Sequence, residues 1–158
     1  MALRQTYLSM KKHLPSDAQV VLVMRGRGSD ELSPSKALLD DFNRWKAQCS
    51  VTKSNPAQVY ECAWEASQYE RRFREQILQS PRSMERLEQL SNESRDKDIF
   101  LICYEGEDKP CHRRLLLDIA EERFGAIVDR RPFAPQRSLF DVAPAADHAK
   151  MHADGGEE

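Results

Sequence analysis

Two stretches of this chain, Val20-Val21-Leu22-Val23-Met24 and Ile99-Phe100-Leu101-Ile102-Cys103, are apolar at every position. Five residues is the length of a strand and far short of the roughly 20 that a membrane-spanning helix needs. A strand that is apolar on both sides has to be covered on both faces, which is the signature of a largely parallel sheet with helices packed on it. The first run is bounded by Pro15-Ser16-Asp17 and by Arg25-Gly26-Arg27-Gly28, the second by the charged segments Ser94-Arg95-Asp96-Lys97 and Glu105-Gly106-Glu107-Asp108. Both boundaries mark places where the chain leaves a sheet.

Helix signals fill the space between them. Ser33-Pro34 offers an N-cap hydroxyl and a proline at the first helical position, ahead of Leu38, Leu39, Phe42 and Trp45. Asn55-Pro56 repeats the device before a longer helix in which Tyr60, Trp64, Tyr69, Phe73 and Ile77 recur mostly every four or five residues. Its other side carries Glu70, Arg71, Arg72, Arg74 and Glu75, which reads as a solvated face. Ser80-Pro81 opens a third helix with Met84, Leu87 and Leu90 on one stripe. Beyond the second strand, Asp108-Lys109-Pro110 caps a fourth helix with Leu115, Leu116, Ile119, Ala120 and Phe124 inward. Gly125 stops it, and Ala126 to Asp129 follow as a short third strand. The expectation is one α/β domain over residues 1–134, a small, mostly parallel sheet between two helical layers in a Rossmann-like arrangement.

Charge divides the chain. Residues 135–158 hold Asp141, Asp147, Asp154, Glu157 and Glu158 against Arg137 and Lys150, whereas the rest balances 22 Lys and Arg against 21 Asp and Glu. The acidic tail is rich in Ala, Asp and His and is expected to be disordered from about residue 143, with Leu139, Phe140 and Val142 either packing back on the body or forming a partner-docking motif, the first being favoured. A near-neutral body argues against a dedicated nucleic-acid binder. The N-terminus lacks the apolar core of a secretory signal, so the cytoplasm is the expected location, with no membrane partner.

In open α/β sheets ligands collect beyond the carboxyl ends of the strands. Two segments converge there, Arg25 after the first strand and the stretch from Cys103 through Glu105 to Cys111-His112-Arg113-Arg114. The second places a thiol at a strand tip and a thiol, an imidazole and two guanidiniums in a helix's first turn. Unpaired amides and the helix dipole favour anions at that end and lower the pKa of a thiol.

The same residues carry a resemblance. Asp98-Ile99-Phe100-Leu101-Ile102-Cys103-Tyr104-Glu105 followed by Pro110-Cys111-His112-Arg113-Arg114-Leu115-Leu116 closely resembles the signature of the domain of unknown function 488 family, in which a strand ending is followed by a short loop and a Cys-His-Arg helix start. Val23-Met24-Arg25-Gly26, Leu32-Ser33-Pro34-Ser35 and Tyr69-Glu70-Arg71-Arg72-Phe73-Arg74 extend the resemblance over residues 7–130. It implies a compact α/β fold and a site at these residues, and it names no reaction.

Specific chemistries narrow the reading. A phosphatase-type loop needs Arg six residues after its strand-end Cys, and counting from Cys103 reaches Lys109. Zinc would draw on Cys103, Cys111, His112 and either Cys49 or Cys62, but no pair has the usual two-to-four-residue spacing. A Cys103–Cys111 disulfide is conceivable across the loop and would be regulatory. Gly26-Arg27-Gly28 lacks the third glycine of a dinucleotide fingerprint. No metal and no cofactor is assigned. The reading is a small anionic-ligand site lined by Arg25, Cys103, Glu105 and Arg113, with Cys111 as activated thiol and His112 as acid or base, and with Cys49 and Cys62 as core thiols. The other class left open is a non-enzymatic binding or regulatory module whose cysteines are structural.

Overall fold

The computed structural model describes residues 1–106 and 108–134. Its strands are β1 (Leu3–Tyr7), β2 (Gln19–Met24), β3 (Arg27–Gly28), β4 (Ile99–Cys103) and β5 (Val128–Asp129). Its α-helices are α1 (Lys36–Thr52), α2 (Pro56–Ala66), α3 (Tyr69–Gln79), α4 (Pro81–Glu93) and α5 (His112–Phe124), with short 3-10 helices at Leu8–His13 and Asp30–Leu32. The five strands form one sheet in the order β3-β2-β4-β1-β5, parallel except for β3.

The two all-apolar runs lie side by side, Leu22 opposite Ile102, so β4 has a strand on each side and every residue buried. Alternation sorts their side chains. Ile99, Leu101 and Cys103 join Leu3, Val21 and Val23 in the main core, while Phe100 points the other way to Phe133, 5.4 Å between ring centres. From β1 the chain moves one way across the sheet to β2, and from β2 to β4 and β4 to β5 it moves the other way. Right-handed crossovers therefore require cover on opposite faces. The Leu8–His13 helix and α5 both pack on β1 and β4, and α5 packs in turn against α3 and α4.

β1 escaped the sequence reading because Leu3-Arg4-Gln5-Thr6-Tyr7 is mostly polar. Its place in the sheet is held by tertiary ion pairs, Arg4 to Asp98 at 3.3 Å and to Asp129 at 2.8 Å. The helix expected to run on from Asn55-Pro56 is two helices. A five-residue step from Trp64 to Tyr69 turns the apolar stripe by about 140° at 3.6 residues per turn, which one helix cannot keep buried. The break comes at Gln68, left-handed at φ 52°, and lets Trp64 and Tyr69 stack at 4.3 Å.

Other boundaries shift locally. The cap of α1 is Ser35, whose hydroxyl accepts from the Leu38 amide at 3.2 Å, and not Ser33. Ser33 is buried instead, with its carbonyl and the Ser35 amide both held by the Gln76 side chain at 2.8 and 2.9 Å. The caps at Asn55 and Ser80 and the Gly125 stop hold as expected, but Asp108-Lys109-Pro110 does not cap the fourth of the expected helices: α5 begins at His112 with Cys111 in the capping position. Gly28 has a direct reason to be glycine, since at φ +112° a Cβ would stand 2.5 Å from the Leu22 carbonyl oxygen. Cys49 and Cys62 are not free core thiols. They are bonded to each other, linking α1 to α2 with 6.1 Å between Cα atoms. Among the described residues no helix is long and apolar enough to cross a membrane. The expectations for residues 135–158, including Leu139, Phe140 and Val142, lie outside the described residues.

Candidate functional site

Cys103 is the last residue of β4, beside the carboxyl end of β2 in the register that pairs Leu22 with Ile102. Eight residues later the chain returns as Cys111 and enters α5. The Cys111 side chain caps no amide, so the thiol is free for other contacts. Cys103 Sγ donates to Glu105 Oε2 at 3.0 Å, and the same oxygen is 3.8 Å from Cys111 Sγ. Cys111 Sγ is 3.6 Å from His112 Nδ1.

The imidazole is fixed by its far side. His112 Nε2 is 2.8 Å from the Val23 carbonyl, which can only accept, so Nε2 carries a hydrogen and donates it. Nδ1 is thereby turned toward the sulfur, and Phe73 braces the ring edge-on at 5.3 Å. The Val23 carbonyl is a site group that side-chain patterns in the sequence cannot show. Its one signal is the strand register that sets β2 beside β4.

Arg113, 1% exposed, lies beneath the cluster. Its terminal nitrogens donate to the Thr6 carbonyl and, at 3.2 Å, to the Gly106 carbonyl. It ties the end of β1 to the loop after β4, and both of its terminal nitrogens are engaged by the protein itself.

Electrostatics divides the two thiols. The Cys103 thiol is pushed up, first by the neighbouring Cys111 sulfur, then by burial and the adjacent Glu105 charge. Cys111 is held well below the ordinary thiol range, first by the neighbouring Cys103 thiol, and further because His112 and Arg113 are nearby; burial opposes these effects. Burial also opposes the imidazolium of His112, but the hydrogen bond and charge of the Cys111 sulfur outweigh it, and the His112 pKa is raised. The shifts run in opposite directions for the two thiols and favour charge on Cys111 and His112 over charge on Cys103.

Two spaces reach this cluster. An inner cavity of about 120 Å³ is lined by Arg25, Cys103, Glu105 and His112 together with Tyr60, Trp64 and Tyr69. A wider cleft of about 440 Å³ reaches Cys111 from the other side, past Lys109, Arg113 and Arg114. Five of the six site residues named from the sequence, Cys103, Glu105, Cys111, His112 and Arg25, therefore gather on one cluster or its inner cavity wall, and Arg113 lines the wider cleft beside Cys111. The aromatics assigned to the core are buried there, and three of them form the cavity wall as well. They are spread over α2 and α3, and only the helix break brings them to one place. Cys103, Cys111 and His112 set three donor atoms within 4.8 Å of one another, a group able to hold a thiophilic cation and one donor short of a closed structural zinc site. With Cys49 and Cys62 bonded to each other, neither is available as a fourth ligand.

The model of the family DUF488-N3a, described as the active DUF488-N3 subclade, matches residues 29–124. That span includes the strand end, the loop and the helix start described above. No curated protein and no solved structure matches the chain significantly.

Proposed function

This chain belongs to the DUF488 family, and from that premise we propose that the cluster is a thiol-dependent catalytic site for a small anionic substrate, with Cys111 as nucleophile. One observation carries the reading. The chain of contacts from Cys111 Sγ to His112 Nδ1 at 3.6 Å and from His112 Nε2 to the Val23 carbonyl at 2.8 Å has the order nucleophile, base, orienting group. The description of the matched subclade as active accords with it.

The residues take these roles. The Cys111 thiolate bonds to an electrophilic centre, and His112 returns the proton to the leaving group from Nδ1. Arg25, exposed on the cavity wall with one nitrogen 3.5 Å from the Pro34 carbonyl, pairs with the substrate's negative charge. Cys103 and Glu105 form the polar part of the wall. Arg113 positions the loop, since its terminal nitrogens are spent on the Thr6 and Gly106 carbonyls.

Alkylation by iodoacetamide over a pH series, mapped by mass spectrometry, tests the reading. Cys111 should react ahead of Cys103, with a midpoint well below the ordinary thiol value of about 8.5. Inorganic phosphate should slow the reaction, and Arg25→Ala should remove that protection. A Cys111 midpoint near the ordinary value overturns the proposal.

A further inference from the structure

The second thiol needs its own account, because a nucleophile and its base do not require one. Cys103 Sγ lies within 4.8 Å of the Cys111 sulfur, inside a loop of seven intervening residues that includes Gly106 and Pro110. Both thiols are buried, and they border different spaces. Cys111 lines the wider cleft, whereas Cys103 faces the inner cavity with its hydrogen held by Glu105. One carboxylate oxygen touches both, at 3.0 and 3.8 Å.

We propose that Cys111 and Cys103 are a peroxide-responsive pair, in which Cys111 is oxidised by a hydroperoxide, Cys103 closes a disulfide onto it, and Glu105 carries the proton between them. The inference rests on the thiol reading of the same site and adds an oxidant, a partner thiol and a means of switching the site off.

In the first step the Cys111 thiolate attacks one oxygen of hydrogen peroxide, and the O–O bond breaks. The departing hydroxide takes the Nδ1 proton of His112 and leaves as water, so Cys111 becomes a sulfenic acid and the peroxide is reduced. In the second step Glu105 takes the Cys103 proton. The Cys103 thiolate attacks the Cys111 sulfur, the S–O bond breaks, and the hydroxide recovers that proton from Glu105 to leave as a second water. The sulfurs must close to the 2.03–2.05 Å of a disulfide, a movement that falls to the connecting loop. A low-molecular-weight dithiol reverses the reaction by exchange, returning both thiols and becoming the oxidised partner.

Peptide mapping of peroxide-treated protein, with Cys49–Cys62 intact, gives the test. The wild type should lose two hydrogens, yield a linked Cys103–Cys111 peptide, become refractory to iodoacetamide at Cys111, and recover with dithiothreitol. In Cys103→Ser a Cys111 sulfenic acid should accumulate and be trapped by dimedone, while in Cys111→Ser the Cys103 thiol should survive unchanged. Glu105→Gln should slow disulfide closure by about a hundredfold and leave sulfenic acid formation in place. Absence of the linked peptide in wild type, where iodoacetamide still alkylates Cys111, overturns this inference and leaves the catalytic reading standing. A linked peptide from a Cys111 that titrates as an ordinary thiol overturns the catalytic reading alone. Oxidation of Cys103 ahead of Cys111 also refutes the proposal. The wild-type mapping decides the matter even if a variant fails to fold.

Discussion

The molecule holds two cysteine pairs, and they have opposite fates. Cys49 and Cys62 project from two packed helices in an apolar setting, with Cα atoms at a separation that suits a disulfide, and they are bonded. Cys103 and Cys111 are closer in sequence, yet both are free. The difference lies in their surroundings. The first pair sits in and against the apolar core, whereas the second shares its space with Glu105, His112 and the buried guanidinium of Arg113. A bond between helices constrains the unfolded chain; charge around a thiol decides its protonation and its reactivity. The same element is a staple in one place and a free thiol among charged groups in the other.

The contrast breaks most sharply at Cys111. Cys111→Ser should abolish the fast alkylation entirely, with the far-ultraviolet circular dichroism unchanged; a fast phase that survives would place the reactive thiol elsewhere. Next in size is Arg113→Ala, which strips two buried carbonyls of a charged donor and opens a void beneath the loop. Unfolding in urea should show a loss of about 3–4 kcal/mol, and a loss within the error of the measurement would mean that the tether does not hold β1 to the loop.

Removing the staple should cost slightly less. The double change Cys49→Ser with Cys62→Ser should destabilise the fold by about 3 kcal/mol, the loop-entropy value for a closure of this size, and should leave the alkylation profile of Cys111 in place. If that profile moves, the two pairs are coupled and the division between them fails.

Smaller effects sharpen the ion pair. The Cys111 pKa is lowered, so its anion and reactivity persist below the ordinary thiol range and disappear as pH falls through that lowered value. The His112 pKa is raised, so the imidazolium partner is lost only as pH rises through it. His112→Asn removes the cation, and the alkylation midpoint should climb toward about 8.5 with the rate at neutral pH dropping about tenfold.

Much of this was legible in the chain. The two apolar runs announced a buried, largely parallel sheet because full-length apolarity has few other uses, and the Asn55 and Ser80 caps placed helix starts because a cap is a local interaction. The convergence of Cys103, Glu105, Cys111 and His112 could be read for a related reason, since all four lie within ten residues around one strand-to-helix turn. β1 was hidden because its apolar content is low and its anchors, Asp98 and Asp129, are far along the chain. The Gln68 break left only a five-residue step in the stripe. The bond between Cys49 and Cys62 depends on how α1 lies against α2, which spacing along the sequence does not specify.

What the sequence determined by itself, then, is the sheet's nature, most of the helix starts and the set of polar groups gathered at one strand-to-helix turn, because these follow from local periodicity, capping and short-range order. Tertiary structure alone decided which thiols are bonded to each other and which charged and polar groups surround the free pair. Those outcomes turn on distances of 3 to 4 Å between side chains and on a backbone carbonyl, Val23, brought to His112 by the register of two strands nearly 80 residues apart in the chain.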